Sequence, residues 1–261
     1  MNTCGSCGKV ISTYEYKYDD QGYVVGETAT ELEAGTRKTP SWEDWYNWGD
    51  TQKETDKADC EHQEKEIQTT RTYEYDDNWE LTRCTEKAEG GKKTVHNYTY
   101  DKIGNRTSYE KIEDGDRPKE QLASLVKGGS NAKGYTLTEY INDINRENTE
   151  VLAEYGADEK VRQAYTYGEN GIGERVSVDK SEESSYYLYD GRNSVTGILT
   201  ETANLTNSYQ YDPYGNLTSG TADGVNYYAY NGESTNVKTG LQYLRARYYN
   251  AENETFTTED K

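Results

Sequence analysis

The octet "YDPYGNLT", residues 211–218, constrains the fold of this chain more than any other stretch because near-copies of it recur. Close copies begin at Tyr18, Tyr75, Tyr100 and Tyr189, and weaker ones at Tyr140, Tyr167 and Tyr230. The anchors from Tyr167 onward follow one another at 22, 22 and 19 residues. A period near twenty residues indicates a repeat architecture.

Each octet predicts a β-hairpin. Tyr209 and Tyr211 are two residues apart, so their rings share one face of an extended strand. Asp212 suits the first position of a type I turn, Pro213 supplies the φ of the second, and Gly215 suits the left-handed residue that closes the loop. The same reasoning assigns turn roles to four more residues: Asp19, Gly22, Asp101 and Gly104.

Tyrosine supplies the apolar surface of these hairpins. Only 32% of the chain is hydrophobic and its net charge is −19, a balance typical of disordered chains, yet it has 27 Tyr. A single hairpin cannot cover its own tyrosine face, whereas neighbouring hairpins can cover one another. We therefore expect an all-β fold of stacked antiparallel hairpins that form part of a curved β-shell, with one or two short inserted helices.

Two segments between the hairpins predict those helices. "RPKEQLASLVKGG", residues 117–129, has an early proline, an apolar stripe and a terminal glycine. In "SWEDWYNW", residues 41–48, Trp42 and Trp45 share one helical face and Trp48 lies near the end. These rings are interpreted either as a platform for sugars or, preferably, as a stripe that packs on the tyrosine wall.

Charge and cysteine spacing limit the partners. The 48 acidic against 29 basic residues would repel phosphate, so we expect no direct nucleic-acid partner. No apolar run approaches the roughly 18 residues of a membrane span. Cys4 and Cys7 form a C-x-x-C without a second close pair, which favours no metal and no cofactor. A composite metal site with Cys60 and His62, or a Cys60–Cys84 disulfide, stays open.

The C-terminal segment "TGLQYLRARYY" resembles the Rhs repeat-associated core, and the octets resemble the YD repeat of Rhs and teneurin-like proteins. The matching residues of the core segment are Gly240, Leu241, Tyr243, Arg245, Arg247, Tyr248 and Tyr249. The resemblance implies a hollow, secreted or cell-surface β-shell that encloses a C-terminal effector, and a core segment that helps to close it. Alternation along "LRARYY" predicts Arg245 and Arg247 on one face. The resemblance favours buried polar contacts of both arginines with acidic residues; the alternative is two solvent-facing arginines that offset acidic neighbours.

Some members of that family cleave themselves with paired aspartates in a D-P-x-G-type motif beyond the core, and this sequence reaches Lys261 before such a motif. We therefore expect no enzyme, but a truncated, non-enzymatic carrier fragment of a polymorphic toxin system. Its expected partners are a toxin cargo or the remaining shell polypeptide, with self-association through open sheet edges. The alternative is a cell-surface module that binds glycans through exposed Tyr and Trp.

The expected organisation has five parts. They are a flexible N-terminus over 1–13, a hairpin over 14–34, a charged, partly helical Trp-containing insertion over 35–69, a repeat sheet over 70–200, and the repeat-associated core over 201–261.

Overall fold

The computed structural model describes residues 2–3, 10–32, 66–114, 134–146, 148–168, 174–181, 183–220, 227–236 and 239–259. Both predicted helices lie outside these residues, as do Cys4, Cys7, Cys60, His62 and the tryptophans Trp42, Trp45 and Trp48. Within the described part of the chain, no helix has the length and apolar character needed to cross a bilayer.

One antiparallel sheet of 14 strands, β1 to β14, follows the order of the chain. Two smaller sheets follow it, β15–β16 and β17–β20. The prediction of an all-β fold of stacked antiparallel hairpins is confirmed. The strands are β1 (Asn2–Thr3), β2 (Val10–Tyr18), β3 (Val24–Leu32), β4 (Glu66–Tyr75), β5 (Leu81–Ala88), β6 (Lys93–Tyr100), β7 (Arg106–Glu113), β8 (Tyr135–Asp143), β9 (Glu150–Gly156), β10 (Val161–Tyr167), β11 (Arg175–Lys180), β12 (Glu183–Tyr189), β13 (Val195–Thr200), β14 (Leu205–Ser208), β15 (Gln210–Tyr211), β16 (Leu217–Ser219), β17 (Ser234–Thr235), β18 (Leu241–Leu244), β19 (Arg247–Asn250) and β20 (Thr255–Phe256).

An aspartate organises each octet turn through its side chain. The Oδ1 atom of Asp212 accepts hydrogen bonds from the backbone N–H groups of Tyr214 and Asn216, both at 2.9 Å. The N–H of Gly215, which has φ 99°, donates to the carbonyl of Asp212 at 3.2 Å. The same double acceptance occurs at Asp19, Asp76, Asp101 and Asp190. This chemistry is local, which is why it repeats with the sequence.

A β-bulge follows the turn in seven hairpins. Tyr211 pairs with Leu217 while Gln210 pairs with Ser219, so one extra residue enters the returning strand. The bulge turns the first returning residue, which we call the entry residue, towards the same face as the tyrosines. The seven entry residues are Val24, Leu81, Arg106, Val151, Arg175, Val195 and Leu217. Five of them are buried, so the bulge adds a core position to the hairpin.

In six hairpins, a side chain at or next to the end of the outgoing strand joins its hairpin to the preceding one. Backbone pairing between successive hairpins stops short of the entry residue; between β3 and β4, for example, it ends at Gly26 and Thr72. A side chain of the next hairpin donates to the entry carbonyl instead, which satisfies a polar group that would otherwise be left without a partner. These bonds are Tyr75 to Val24 (2.9 Å), Tyr100 to Leu81 (2.7 Å), Asn142 to Arg106 (3.0 Å), Tyr167 to Val151 (2.6 Å), Tyr189 to Arg175 (2.7 Å) and Tyr211 to Val195 (2.9 Å).

The sheet is strongly curled. Tyr249 donates to the carbonyl of Tyr214, beyond β15, at 3.0 Å, while the next residue, Asn250, donates to Glu27 on β3 at 3.4 Å. In a flat sheet, β3 and β15 would lie about 58 Å apart at the usual spacing of strands. Two consecutive residues cannot span that distance. The β15–β16 hairpin, which follows the last strand of the sheet, is therefore brought near the first strands of the sheet by curvature.

Tyrosine builds much of the core. One cluster combines Tyr73, Tyr98 and Tyr248 with Leu81 and Cys84, and a second contains four tyrosines, Tyr165, Tyr187, Tyr209 and Tyr228. Burial raises the pKa of the Cys84 thiol to about 12. The structure gives this thiol no disulfide partner within the described residues. Cys84 therefore packs as an apolar residue of the core, and Cys60 lies outside the described residues.

Candidate functional site: a buried arginine and glutamate centre

The C-terminal residues 227–236 and 239–259, here called the closing segment, lie against the tyrosine face of the sheet. Their contacts use the entry residues, whose backbone N–H groups are not taken by the neighbouring hairpin. Three of these groups donate to the closing segment: Val24 to the carbonyl of Thr257 at 3.2 Å, Arg106 to the hydroxyl of Tyr243 at 3.1 Å, and Val195 to the carbonyl of Ala229 at 2.9 Å. Three hairpins of the repeat thus present backbone donors to one segment.

Arg106 occupies an entry position where the other four close octets have Val or Leu. Its guanidinium lies 4.8 Å from the ring centre of Tyr140 and 4.5 Å from that of Tyr243. It donates to the Ser234 hydroxyl at 3.2 Å and to the Tyr248 hydroxyl at 3.5 Å. Desolvation opposes the buried charge, but the surrounding tyrosines outweigh it and hold the pKa of Arg106 above its ordinary value.

Glu150 links the second entry arginine to the closing segment. Its carboxylate lies 3.5 Å from the guanidinium of Arg175 and 3.2 Å from that of Arg245. Arg245 also pairs with Glu233 at 3.1 Å, and Arg175 donates to the carbonyl of Gly232. The side chain of Glu150 is only 3% exposed. Removing one member would leave a buried charge without compensation, so the centre holds the segment and sheet together.

The arginines and glutamates surround a cavity of about 30 Å³. This volume accommodates a single water molecule and excludes a nucleotide or sugar. Burial raises the pKa of Glu233 although Arg245 and Arg175 act in the opposite direction. In the described ranges, no group of three or more His, Cys, Asp and Glu side chains is arranged to hold a metal ion. The geometry of the arginine and glutamate centre is suited to holding the closing segment against the sheet.

The segment "LRARYY" is a hairpin, and the expectation of one alternating strand is wrong. Arg245 has φ 64° and lies in the turn between β18 and β19, because Leu244 pairs with Arg247 across it. The two guanidinium groups consequently have different surroundings. Arg245 contacts Glu150 and Glu233, whereas Arg247 lies 3.8 Å from the ring centre of Phe256.

The other predicted core residues fall on both sides of this hairpin. Tyr243 and Tyr248 pair across it with ring centres 5.2 Å apart, and Leu241 is 1% exposed. Gly240, with φ 71°, precedes β18, and Tyr249 contacts the last octet turn through Tyr214. One predicted core residue also contacts a predicted turn residue directly, since the Tyr243 hydroxyl donates to the Gly104 carbonyl at 3.2 Å.

Sequence reasoning did not single out Arg106, Arg175 or Glu150. A signal was present for Arg106, since "GNRT" has arginine where "GNLT" has Leu217. A charged residue at an otherwise apolar repeat position marks a place where something other than the next repeat must contact the sheet. Glu150 has no comparable signal because its partners are 25 and 95 residues away.

Together, the fold and this centre define an all-β protein of tyrosine- and aspartate-anchored hairpin repeats. No protein-family description matches the sequence. Individual relatives do match. The chain is 30% identical over 252 residues to the tRNA3(Ser)-specific nuclease WapA of Bacillus spizizenii, and 29% identical over 252 residues to the tRNA nuclease WapA of Bacillus subtilis strain 168. Each match covers 94% of this chain and 9% of the relative.

Among solved structures, the chain is similar to the crystal structure of TcdB2-TccC3-TEV, with a TM-score of 0.44 and 13% identity. That similarity covers 97% of this chain and 14% of the other.

The relatives contradict three expectations drawn from the sequence. The relatives are named tRNA nucleases, which are enzymes that act on nucleic acid. These names contradict the expected non-enzymatic carrier, the expected lack of enzyme activity and the expected lack of a nucleic-acid partner. The charge argument failed because a net charge of −19 describes this chain alone, which spans 9% of those nucleases. The glycan-binding alternative has no support from these names, and its tryptophans lie outside the described residues.

Proposed function

We propose that this chain is the hairpin-repeat part of a tRNA-cleaving toxin, and that it belongs to the Rhs/YD-repeat family. The observation that carries the proposal is the match to two WapA tRNA nucleases, at 29–30% identity over 94% of the chain. Because the chain spans 9% of those proteins, tRNA cleavage is proposed for the polypeptide to which it contributes.

Membership of the Rhs/YD-repeat family is supported by the octet hairpins together with the closing segment that contacts them. Each close octet has an aspartate that organises its turn, as Asp212 does. In the close octets after the first, the tyrosine donates a hydrogen bond to the carbonyl of the entry residue in the preceding hairpin, as Tyr211 does to Val195. The closing segment carries the core motif from Gly240 to Tyr249 and contacts entry residues of several hairpins. A motif match that coincides with its expected packing is stronger support than the motif alone.

The role proposed for this part is mechanical. The side-chain bonds between hairpins and the Glu150 centre give one connected body of sheet and closing segment. Within a nuclease, such a body would position whatever element contacts the RNA. This assigns the described residues to holding and orienting, while the whole polypeptide performs the cleavage.

The test compares two proteins for cleavage of total tRNA, the 261-residue chain and the product of the complete reading frame that contains it. Fragments are resolved on a denaturing gel and their ends are mapped, with 5S ribosomal RNA as a control substrate. The proposal expects discrete tRNA fragments from the complete product and intact 5S RNA. If neither protein cleaves tRNA, the proposal is wrong. If the 261-residue chain alone cleaves it, the activity lies within this chain.

A further inference from the structure

A cleft of about 210 Å³ lies between the last hairpin, β15–β16, and the closing segment. It is separate from the arginine and glutamate centre, and neither the sequence motifs nor the relatives assign it a role. Tyr209 and Tyr211 line it from β15, and Tyr227 lines it from the closing segment. An engineered apolar cavity of about 150 Å³ holds benzene, so this cleft is large enough for a small organic group.

Two of the lining tyrosines, Tyr211 and Tyr227, have hydroxyl groups that bond to the sheet. The hydroxyl of Tyr211 donates to the carbonyl of Val195 at 2.9 Å, and that of Tyr227 donates to Glu154 at 3.0 Å. Both hydroxyls are therefore engaged in the sheet. What Tyr211 and Tyr227 contribute to the cleft is ring surface, which carries the negative potential of the aromatic face.

Two of the described polar residues around the cleft, Asn216 and Glu252, offer acceptor atoms. Asn216 donates through Nδ2 to Asp212 at 2.8 Å and to the Ala251 carbonyl at 3.1 Å, which leaves its Oδ1 atom as an acceptor. Glu252 contributes the one charged side chain among the described lining residues, where no Lys, Arg or His is present. In a chain of net charge −19, the Glu252 carboxylate favours cations over anions at this cleft.

We propose that this cleft binds an organic cation with a methylated ammonium group. Aromatic rings beside a carboxylate are the chemistry by which proteins recognise quaternary ammonium ligands. The cleft volume accommodates a trimethylammonium group and its first few carbons, while phosphate and carboxylate ligands are disfavoured by Glu252. This inference does not depend on the proposed tRNA cleavage.

The direct test is titration of the 261-residue chain with choline chloride, followed by calorimetry or by tyrosine fluorescence. The matched probe is 3,3-dimethyl-1-butanol, which has the shape of choline without its charge. Cation–π attraction of about 1.4 kcal/mol corresponds to a tenfold difference in affinity, so we expect choline to bind about tenfold more tightly than the alcohol. Equal binding of the two probes, or no saturable binding of choline, would overturn the proposal.

Two charge-neutralising variants provide the internal control. Glu252→Gln removes the carboxylate at the cleft and is expected to weaken choline binding about threefold to fivefold, while binding of the neutral alcohol stays unchanged. Glu254→Gln, two residues away and exposed, is expected to leave both affinities unchanged. Neither residue belongs to a buried cluster, so both variants should fold. An equal effect of the two variants on choline would show a general charge effect and contradict the assignment of the cleft.

Discussion

Replacing Tyr189 with Phe tests whether tyrosine hydroxyls join one hairpin to the next. The Tyr189 hydroxyl donates to the Arg175 carbonyl at 2.7 Å, and the ring lies 6.2 Å from that of Tyr187. The substitution removes one oxygen atom and keeps the ring. Its effect therefore reports the hydrogen bond and not the packing.

The expected magnitude follows from what the carbonyl loses. Backbone pairing between β11 and β12 ends at Ser177 and Tyr186, so the Arg175 carbonyl lies beyond the last pair of that ladder. Leaving a partly buried acceptor unsatisfied costs about 1–2 kcal/mol. For a chain of this size, about 1–2 kcal/mol lowers Tm by roughly 3–6 °C.

Tyr186→Phe is the matched control because Tyr186 lies on the same strand, on the opposite face, and is 41% exposed. Thermal unfolding followed by circular dichroism measures both variants beside the unchanged protein. We expect Tyr186→Phe to alter Tm by less than 1 °C, in keeping with the small effects of surface substitutions. Equal Tm values for the two variants would refute the role assigned to the hydroxyl.

Three further perturbations test the centre, its pH dependence and one turn. Glu150→Gln should lower the free energy of unfolding by about 3 kcal/mol and hasten proteolysis of the closing segment, since Arg175 and Arg245 lose their shared carboxylate; unchanged proteolysis would contradict this. Burial raises the pKa of Glu154 above its ordinary value of 4.5, so the native state binds this proton more tightly than the unfolded state, and stability is lost as pH rises above 4.5. The Tm of Glu154→Gln minus that of the unchanged protein should therefore increase with pH, and a pH-independent difference would refute this cause. Ala203 has φ 60°, so Ala203→Gly should raise stability by about 0.5–1 kcal/mol, and a lower Tm would contradict the strain.

The hairpins were predictable because their determinants are local. The Asp212 turn involves residues within four positions of one another, and the alternation of Tyr209 and Tyr211 needs only an extended strand. The curvature was predicted from the lateral stacking of the hairpins and the twist of the sheet, and the contacts of Tyr249 and Asn250 are consistent with it.

The bulges and the contacts of the closing segment were not predictable from the same reasoning. Nothing in "GNLT" alone shows that Thr218 is the extra residue that turns Leu217 towards the tyrosine face. The partners of Arg245 lie 95 and 12 residues away, so strand alternation was applied to a segment that tertiary contacts shape into a hairpin. Local patterns determine each hairpin, whereas buried charges determine where the last segment contacts the stack.

The most direct test of the account is the distance between the two ends of the sheet. Spin labels at Asp20→Cys, in the first hairpin turn, and Thr218→Cys, on β16, both occupy exposed positions. Double electron–electron resonance then measures the separation, after Cys4, Cys7 and Cys60 are replaced by serine. The contacts of Thr257 with Val24 and of Tyr249 with Tyr214 predict a distance below about 40 Å. A distribution centred near 65 Å, the span of a flat sheet from β2 to β16, would contradict a curled sheet held by its closing segment.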